Sequence, residues 1–163
     1  MTFTTDVLNA IFALKKNIMT ERINTYNDFK SKEGCIIGSS PYFCITEEKL
    51  DLYSKSISVE QDGENNYEKN ELIDFFIISI TPYLWKQIVD IKNVKKVINY
   101  GFDRIALINK VMIGEHIRLV ASVESVKQIH GITKVVVGFT LEIKERNLKA
   151  MDGKAIFLYH FKE

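Results

Sequence analysis

Residues 71–111 read ELIDFFIISITPYLWKQIVDIKNVKKVINYGFDRIALINKV, and the period of their apolar residues changes part-way. Leu72, Ile73, Phe75, Phe76, Ile77, Ile78 and Ile80 leave almost no polar face. That pattern predicts a helix buried nearly all round. Asn70 suits its N-cap, with Glu71 and Asp74 near its positive end. Pro82 lacks the backbone donor a helix interior needs, which predicts a kink or restart before Leu84, Trp85, Ile88 and Val89. Beyond Asn93 the helical period is gone. Residues 96–108, with Val97, Ile98, Tyr100, Phe102, Ile105 and Leu107, favour extended structure.

Downstream the strand pattern continues. Ile117, Leu119, Ala121 and Val123 alternate with mainly polar residues, then the alternation slips to Val126 and Ile129, the signature of a β-bulge. His130-Gly131 marks a tight turn. Val135, Val137, Phe139, Leu141 and Ile143 alternate cleanly, so one face is core and the other largely wet. Asn147 to Gly153 reads as a second hairpin connection. Ala155 to Phe161, apolar on both faces, reads as a covered central strand. The second half is therefore an antiparallel sheet whose apolar face needs a cover, and the 71–89 helix is the nearest one available.

Upstream, Val7, Leu8, Ile11, Phe12, Ile18, Met19, Ile23, Tyr26 and Phe29 form a helical stripe, predicting a helix over 5–29. Residues 35–45 read as two short extended pieces around Gly38-Ser39-Ser40-Pro41. Thr46 is an N-cap for a helix running to about Ile57, with Glu47 and Glu48 in its first turn. Residues 58–70, SVEQDGENNYEKN, form the most polar stretch and read as a loop.

The 163 residues fit one domain with a full core, and 46% hydrophobic with 26% charged residues excludes a disordered chain. Lys plus Arg is 22 against 21 for Asp plus Glu, so no net charge argues for nucleic acid or an anionic membrane as a partner. Two cysteines, Cys35 and Cys44, make neither a disulfide framework nor a zinc site, and read as small buried hydrophobes in a reducing compartment. Lys15-Lys16 interrupts the N-terminal apolar stretch, which lacks a signal-peptide cleavage pattern. The apolar run Phe75–Ile80 is too short to span a bilayer. A cytoplasmic protein is the expectation.

Ile98-Asn99-Tyr100-Gly101-Phe102-Asp103-Arg104, then Val111-Met112-Ile113-Gly114-Glu115 and Arg118, resembles the C-terminal half of MaoC-like acyl dehydratases, most closely the nodulation protein N-like branch. Ser79, Pro82, Tyr83, Leu84 and Trp85 fit that branch's helix. Ile37 to Thr46, followed by Leu50-Asp51-Leu52-Tyr53, resembles its lead-in strand and next helix. The resemblance covers roughly residues 33–161. It implies an α+β hotdog domain over 33–163, an antiparallel sheet wrapped around a long central helix, with residues 1–32 as an N-terminal helical extension. That extension is expected to cover an apolar sheet face or to dock a partner.

The resemblance implies hydration or dehydration of an acyl thioester carried on CoA or acyl carrier protein. A carboxylate and a histidine would position water, and a backbone N–H at the start of the central helix would polarise the carbonyl. By counting, the family's Asp falls near Val59 and its His near Glu64. No histidine precedes His116, and Glu71-Leu72-Ile73-Asp74 lacks the small residue that lets substrate approach the backbone. Ala106, Ile108 and Lys110 also depart from the family's Arg and Pro residues. The expectation is a scaffold without its dyad, binding acyl groups or serving as the non-catalytic subunit of a dehydratase. The alternative is an active hydratase, dehydratase or thioesterase using Glu64 or Asp74.

The substrate-binding candidates are Phe75, Ser79, Asn99, Tyr100 and Phe102. Each has a plainer reading: Tyr100 and Phe102 as core packing, Asn99 as a tie to neighbouring backbone, and Glu60, Asp62 and Glu64 as a solvated loop. Trp85 reads as an interface anchor or core filler. His116, His130 and His160 read as surface or packing residues. Because a free long strand is a pairing hazard, a homodimer or hotdog heterodimer with a continuous sheet is expected.

Overall fold

The structure is a computed structural model and describes residues 20–57 and 69–162. The expected helix over residues 5–19 and the polar loop carrying Glu60, Asp62 and Glu64 lie outside the described residues. The chain runs β1 (Glu21–Ile23), α1 (Tyr26–Lys30), β2 (Ile36–Ser39), β3 (Phe43–Cys44), α2 (Glu47–Ser56), α3 (Lys69–Ile88), β4 (Val89–Ile91), β5 (Val94–Leu107), β6 (His116–Ile129), β7 (Ile132–Ile143) and β8 (Leu148–Phe161).

The expected single helix over 5–29 does not hold across its described part. Residues 21–23 form β1, which pairs in parallel with β4, and the helix is only the five residues of α1. Local chemistry explains the break. Thr25 is an extended N-cap whose hydroxyl accepts the Asp28 N–H at 3.3 Å, while Asp28 accepts the Thr25 N–H at 3.0 Å. This reciprocal cap fixes a helix start at Tyr26 and overrides the longer apolar period. Phe29 is fully buried and packs against Tyr159 with ring centroids 5.0 Å apart, so this N-terminal stretch shares the main core.

Five strands run in the order β2-β6-β7-β8-β5, with β3 also pairing along β6. The β6–β7, β7–β8 and β5–β8 ladders are antiparallel. The anticipated bulge in β6 lies between Val123 and Ser125. His130 and Gly131 both take left-handed φ values, 48° and 79°, as a two-residue hairpin turn requires. The second hairpin turn falls at residues 144–147, earlier than expected, and β8 begins at Leu148. Asn147 supplies the turn's left-handed residue, with φ 52°, so the residues from Leu148 onward are free to pair. β8 is central, between β7 and β5, as its two apolar faces imply.

Thr46 caps α2, accepting the Lys49 N–H at 3.3 Å. Helix α3 lies against the inner face of the sheet through Ile73, Phe76, Ile77, Thr81, Leu84, Trp85 and Ile88, all buried and spaced by three and four. It is not buried all round. Phe75 and Tyr83 are 55% and 54% exposed, and Ser79 between them is exposed too. These three, four residues apart, form the stripe opposite the sheet, because only one side of a helix can meet a single sheet layer. Nor does the helix restart: it is continuous through Pro82. Pro82 removes the hydrogen bond to Ile78, while the Thr81 hydroxyl donates to the Ile77 carbonyl at 3.0 Å within a packed stripe.

The cysteines are not buried hydrophobes. Cys35 is exposed just before β2, and Cys44 is half-buried in the two-residue β3, with its thiol toward the Gly114 carbonyl at 3.7 Å. Cys35 precedes its strand and Cys44 lies in a two-residue one, so neither falls on the buried face of a long strand.

Candidate functional site

A small apolar cavity lies between α3 and strands β5 to β8. Thr81, Pro82 and Trp85 come from the helix, Asn99 and Phe102 from β5, and Phe139 and Phe157 from the strands beneath. Its free volume is about 10 Å³, room for roughly one water. Trp85 stacks on Phe157 with centroids 6.0 Å apart and planes 9° from parallel. Its indole N–H donates to the Tyr159 hydroxyl at 3.3 Å. Burial pushes the Tyr159 phenol well above its ordinary range, opposed in part by the Trp85 hydrogen bond. Phe102 meets Phe139 edge-on, with centroids 6.0 Å apart.

The Asn-Tyr-Gly segment explains how both Asn99 and Phe102 reach this cavity. In a regular strand, residues three apart face opposite sides. Here the register with β8 slips by one: Asn99 pairs with Phe157, Gly101 with Ile156 and Phe102 with Ala155. Phe157 and Ala155 are both inward, so the slip returns Phe102 to the inner face with Asn99. Gly101 has φ 142°, which L side chains avoid, although a Cβ there would meet nothing within 4 Å. The glycine is needed for conformation and not for space. Tyr100, the extra residue, is 67% exposed and lines a separate groove with Ile129, Ile132, Lys134 and Leu158.

The sequence candidates therefore separate. Asn99 and Phe102 come together at the cavity, and Tyr100 turns to the outer face of the sheet. Phe75 and Ser79 lie on the exposed stripe of α3, where the Ser79 hydroxyl donates to the Phe76 carbonyl at 2.7 Å. Asp74 is half-buried, seven residues before Thr81, which is about 10 Å along a helix axis. Glu64 lies outside the described residues. The Asn99 side-chain amide makes no hydrogen bond among the described residues, so the backbone-tie reading does not describe it.

The histidines sit elsewhere. His116 Nδ1 lies 2.7 Å from Glu145, which also accepts the His116 backbone N–H at 2.9 Å; that backbone bond is the main cause of the lowered Glu145 carboxyl. His130 is in the β6–β7 turn, and His160 is exposed opposite Lys96. None lines the cavity.

One cluster escaped the sequence reading. Glu115, buried before β6, accepts two bonds from Arg146, at 2.6 and 2.9 Å, and the Met112 N–H at 2.8 Å. Arg146 also donates to the Lys110 carbonyl. Arg146 chiefly, then the Met112 N–H, hold the Glu115 carboxyl below its usual range against the cost of burial. This ties the β5–β6 connection to the β7–β8 turn. Two charges 31 residues apart carry no mutual sequence signal.

A long helix laid on the inner face of an antiparallel sheet in this strand order is the hotdog fold. Solved structures agree. The MaoC-like dehydratase from Rhodospirillum rubrum superimposes with a TM-score of 0.57 at 8% identity, covering 77% of this chain and 91% of that one. The HadBC (3R-hydroxyacyl-ACP dehydratase) complex from Mycobacterium tuberculosis gives 0.54 at 12% identity, covering 78% and 96%. In sequence, the chain is similar to 3-hydroxyacyl-thioester dehydratase Z of Mycobacterium tuberculosis, at 23% identity over 141 residues, covering 81% of this chain and 93% of the relative. No protein-family model matches. The chain thus has the hotdog fold. Among the described residues, no helix is long and apolar enough to cross a membrane.

Proposed function

We propose that this protein binds an acyl thioester, on CoA or on acyl carrier protein, and acts as a non-catalytic hotdog subunit. One observation carries the reading: the cavity under α3 has an apolar wall and an amide, Asn99, and among the described residues no titratable side chain lines it. Water addition to an enoyl thioester needs a base within hydrogen-bond reach of the water, and a cavity lined this way supplies binding without proton transfer. The Asn99 amide offers both a donor and an acceptor, which suits a thioester carbonyl or the amides of a pantetheine arm.

The free edge of β5 supports a paired assembly. Among the described residues this 14-residue strand hydrogen-bonds only to β8, and Val97, Ile98, Tyr100 and Leu107 along it are exposed. A long apolar edge of this kind is covered in working proteins. A second hotdog chain, of the same or a different sequence, is the cover we propose. The complex named for HadBC is a precedent on the same fold.

Incubation with crotonyl-CoA tests the reading. No hydration above background is expected, together with saturable binding. Steady hydration that disappears on removing the protein overturns the non-catalytic part. The name of the curated relative, a dehydratase matched over 93% of its length, favours a second reading. In it Glu64 or Asp74 supplies the missing base, and the same assay decides between the two.

A further inference from the structure

We propose that the cavity under α3 selects short acyl chains, with Phe102 as its movable door and Trp85 as its fixed floor. The proposal rests on the acyl-binding reading above and adds the chain length. The cavity as it stands has room for about one water, so any acyl group must displace a wall side chain.

The walls are not equally free to move. Trp85 is 5% exposed, Phe157 8% and Phe139 4%, whereas Phe102 is 39% exposed. Phe102 also sits on β5, the edge strand, next to the bulge at Tyr100-Gly101. Its ring meets Phe139 edge-on and is not stacked. Rotating it toward solvent opens a space about the size of a phenyl ring, enough for a crotonyl- or butyryl-sized group.

Trp85 prevents a deeper slot. One face of its indole lies flat on Phe157, and its N–H is tied to Tyr159. Tyr159 is itself wedged against Phe29 at 5.0 Å. Moving Trp85 would break a buried hydrogen bond and a stacked pair together, so a longer chain is stopped there. Asn99 at the same cavity leaves a polar group for the thioester end.

Trp85 is the chain's single tryptophan, so its emission reports directly on the floor. The test titrates full-length protein with butyryl-CoA, octanoyl-CoA, dodecanoyl-CoA and free CoA, following Trp85 emission and, in parallel, binding heat. In the wild type, butyryl-CoA is expected to shift the emission and to bind at least tenfold more tightly than dodecanoyl-CoA. Phe102→Ala is expected to tighten octanoyl-CoA binding about tenfold. Trp85→Leu, followed by heat alone, is expected to admit dodecanoyl-CoA. Circular dichroism checks that each variant is folded, and Phe102→Ala, at a partly exposed position, decides the matter if Trp85→Leu is not. Equal or tighter wild-type binding of dodecanoyl-CoA overturns the length limit and leaves acyl binding standing. If no acyl-CoA binds more tightly than free CoA to the wild type or to Phe102→Ala, acyl binding itself falls, and the length limit with it.

Discussion

The indole N–H of Trp85 donates to the hydroxyl of Tyr159 across 3.3 Å, joining the middle of α3 to the last strand in a region where both side chains are buried. Either group left alone there would be an unpaired polar atom out of water's reach. Tyr159→Phe removes only the acceptor and keeps the ring, so its cost is that of the stranded indole N–H, about 1–2 kcal/mol. Chemical denaturation with an unchanged m-value is the check. A change under a few tenths of a kcal/mol would mean the bond does not hold the helix to the sheet.

Gly101 predicts a backbone effect. With φ at 142° and open space where a Cβ would project, Gly101→Val is expected to cost about 1–3 kcal/mol through conformation alone. It is also expected to relax the preference for short acyl chains, because the slip it enables brings Phe102 to the inner face. Melting temperature and acyl-CoA titration read the two effects separately.

Glu115 sets an acid-side prediction. Its folded carboxyl lies below the ordinary 4.5, chiefly because Arg146 bonds its charged form. A depressed folded value means this stabilisation is fully present above about 4.5 and is lost as pH falls through the folded value. Glu115→Gln should lower the melting temperature at pH 7 and flatten its fall below pH 4.5 relative to wild type. Parallel thermal melts across pH 3–7, an ordinary span for carboxylate titration, show whether the two profiles converge in acid.

If the second functional reading holds, the base is a carboxylate. Glu64→Ala or Asp74→Ala would then lower the crotonyl-CoA hydration rate by roughly 100-fold or more, the usual worth of a general base. Wild-type-like turnover in both variants removes that reading.

The edge of β5, unpaired among the described residues, predicts mass. Light scattering at micromolar concentration is expected to give twice the chain mass, or that of a mixed pair when a second hotdog chain is present. A strictly monomeric species would argue against edge pairing.

Much of the sheet was legible because alternation is a strong signal when one face is core. β6 and β7 read directly, including the bulge after Val123 and the His130-Gly131 turn. The N-terminal helix misled because an apolar 3.6 period continued across Thr25, where a capping box and a β1–β4 pairing decide the backbone. For α3, counting apolar residues overstated burial, since Phe75 and Tyr83 are large and apolar yet lie on the side away from the sheet. The site was only half legible. Asn99 and Phe102 stood out through the Asn-Tyr-Gly motif, but their shared facing depends on a register slip that no residue type announces. The Glu115–Arg146 tie joins distant segments and needed coordinates to be seen.

The slip in β5 has an evolutionary corollary. Without Tyr100 the remaining residues would run Ile98 outward, Asn99 inward, Gly101 outward, Phe102 inward, an unbroken alternation against the same β8 partners. Tyr100 is therefore a supernumerary residue. Gain or loss of one residue there is expected to leave Asn99 and Phe102 on the same side of the strand.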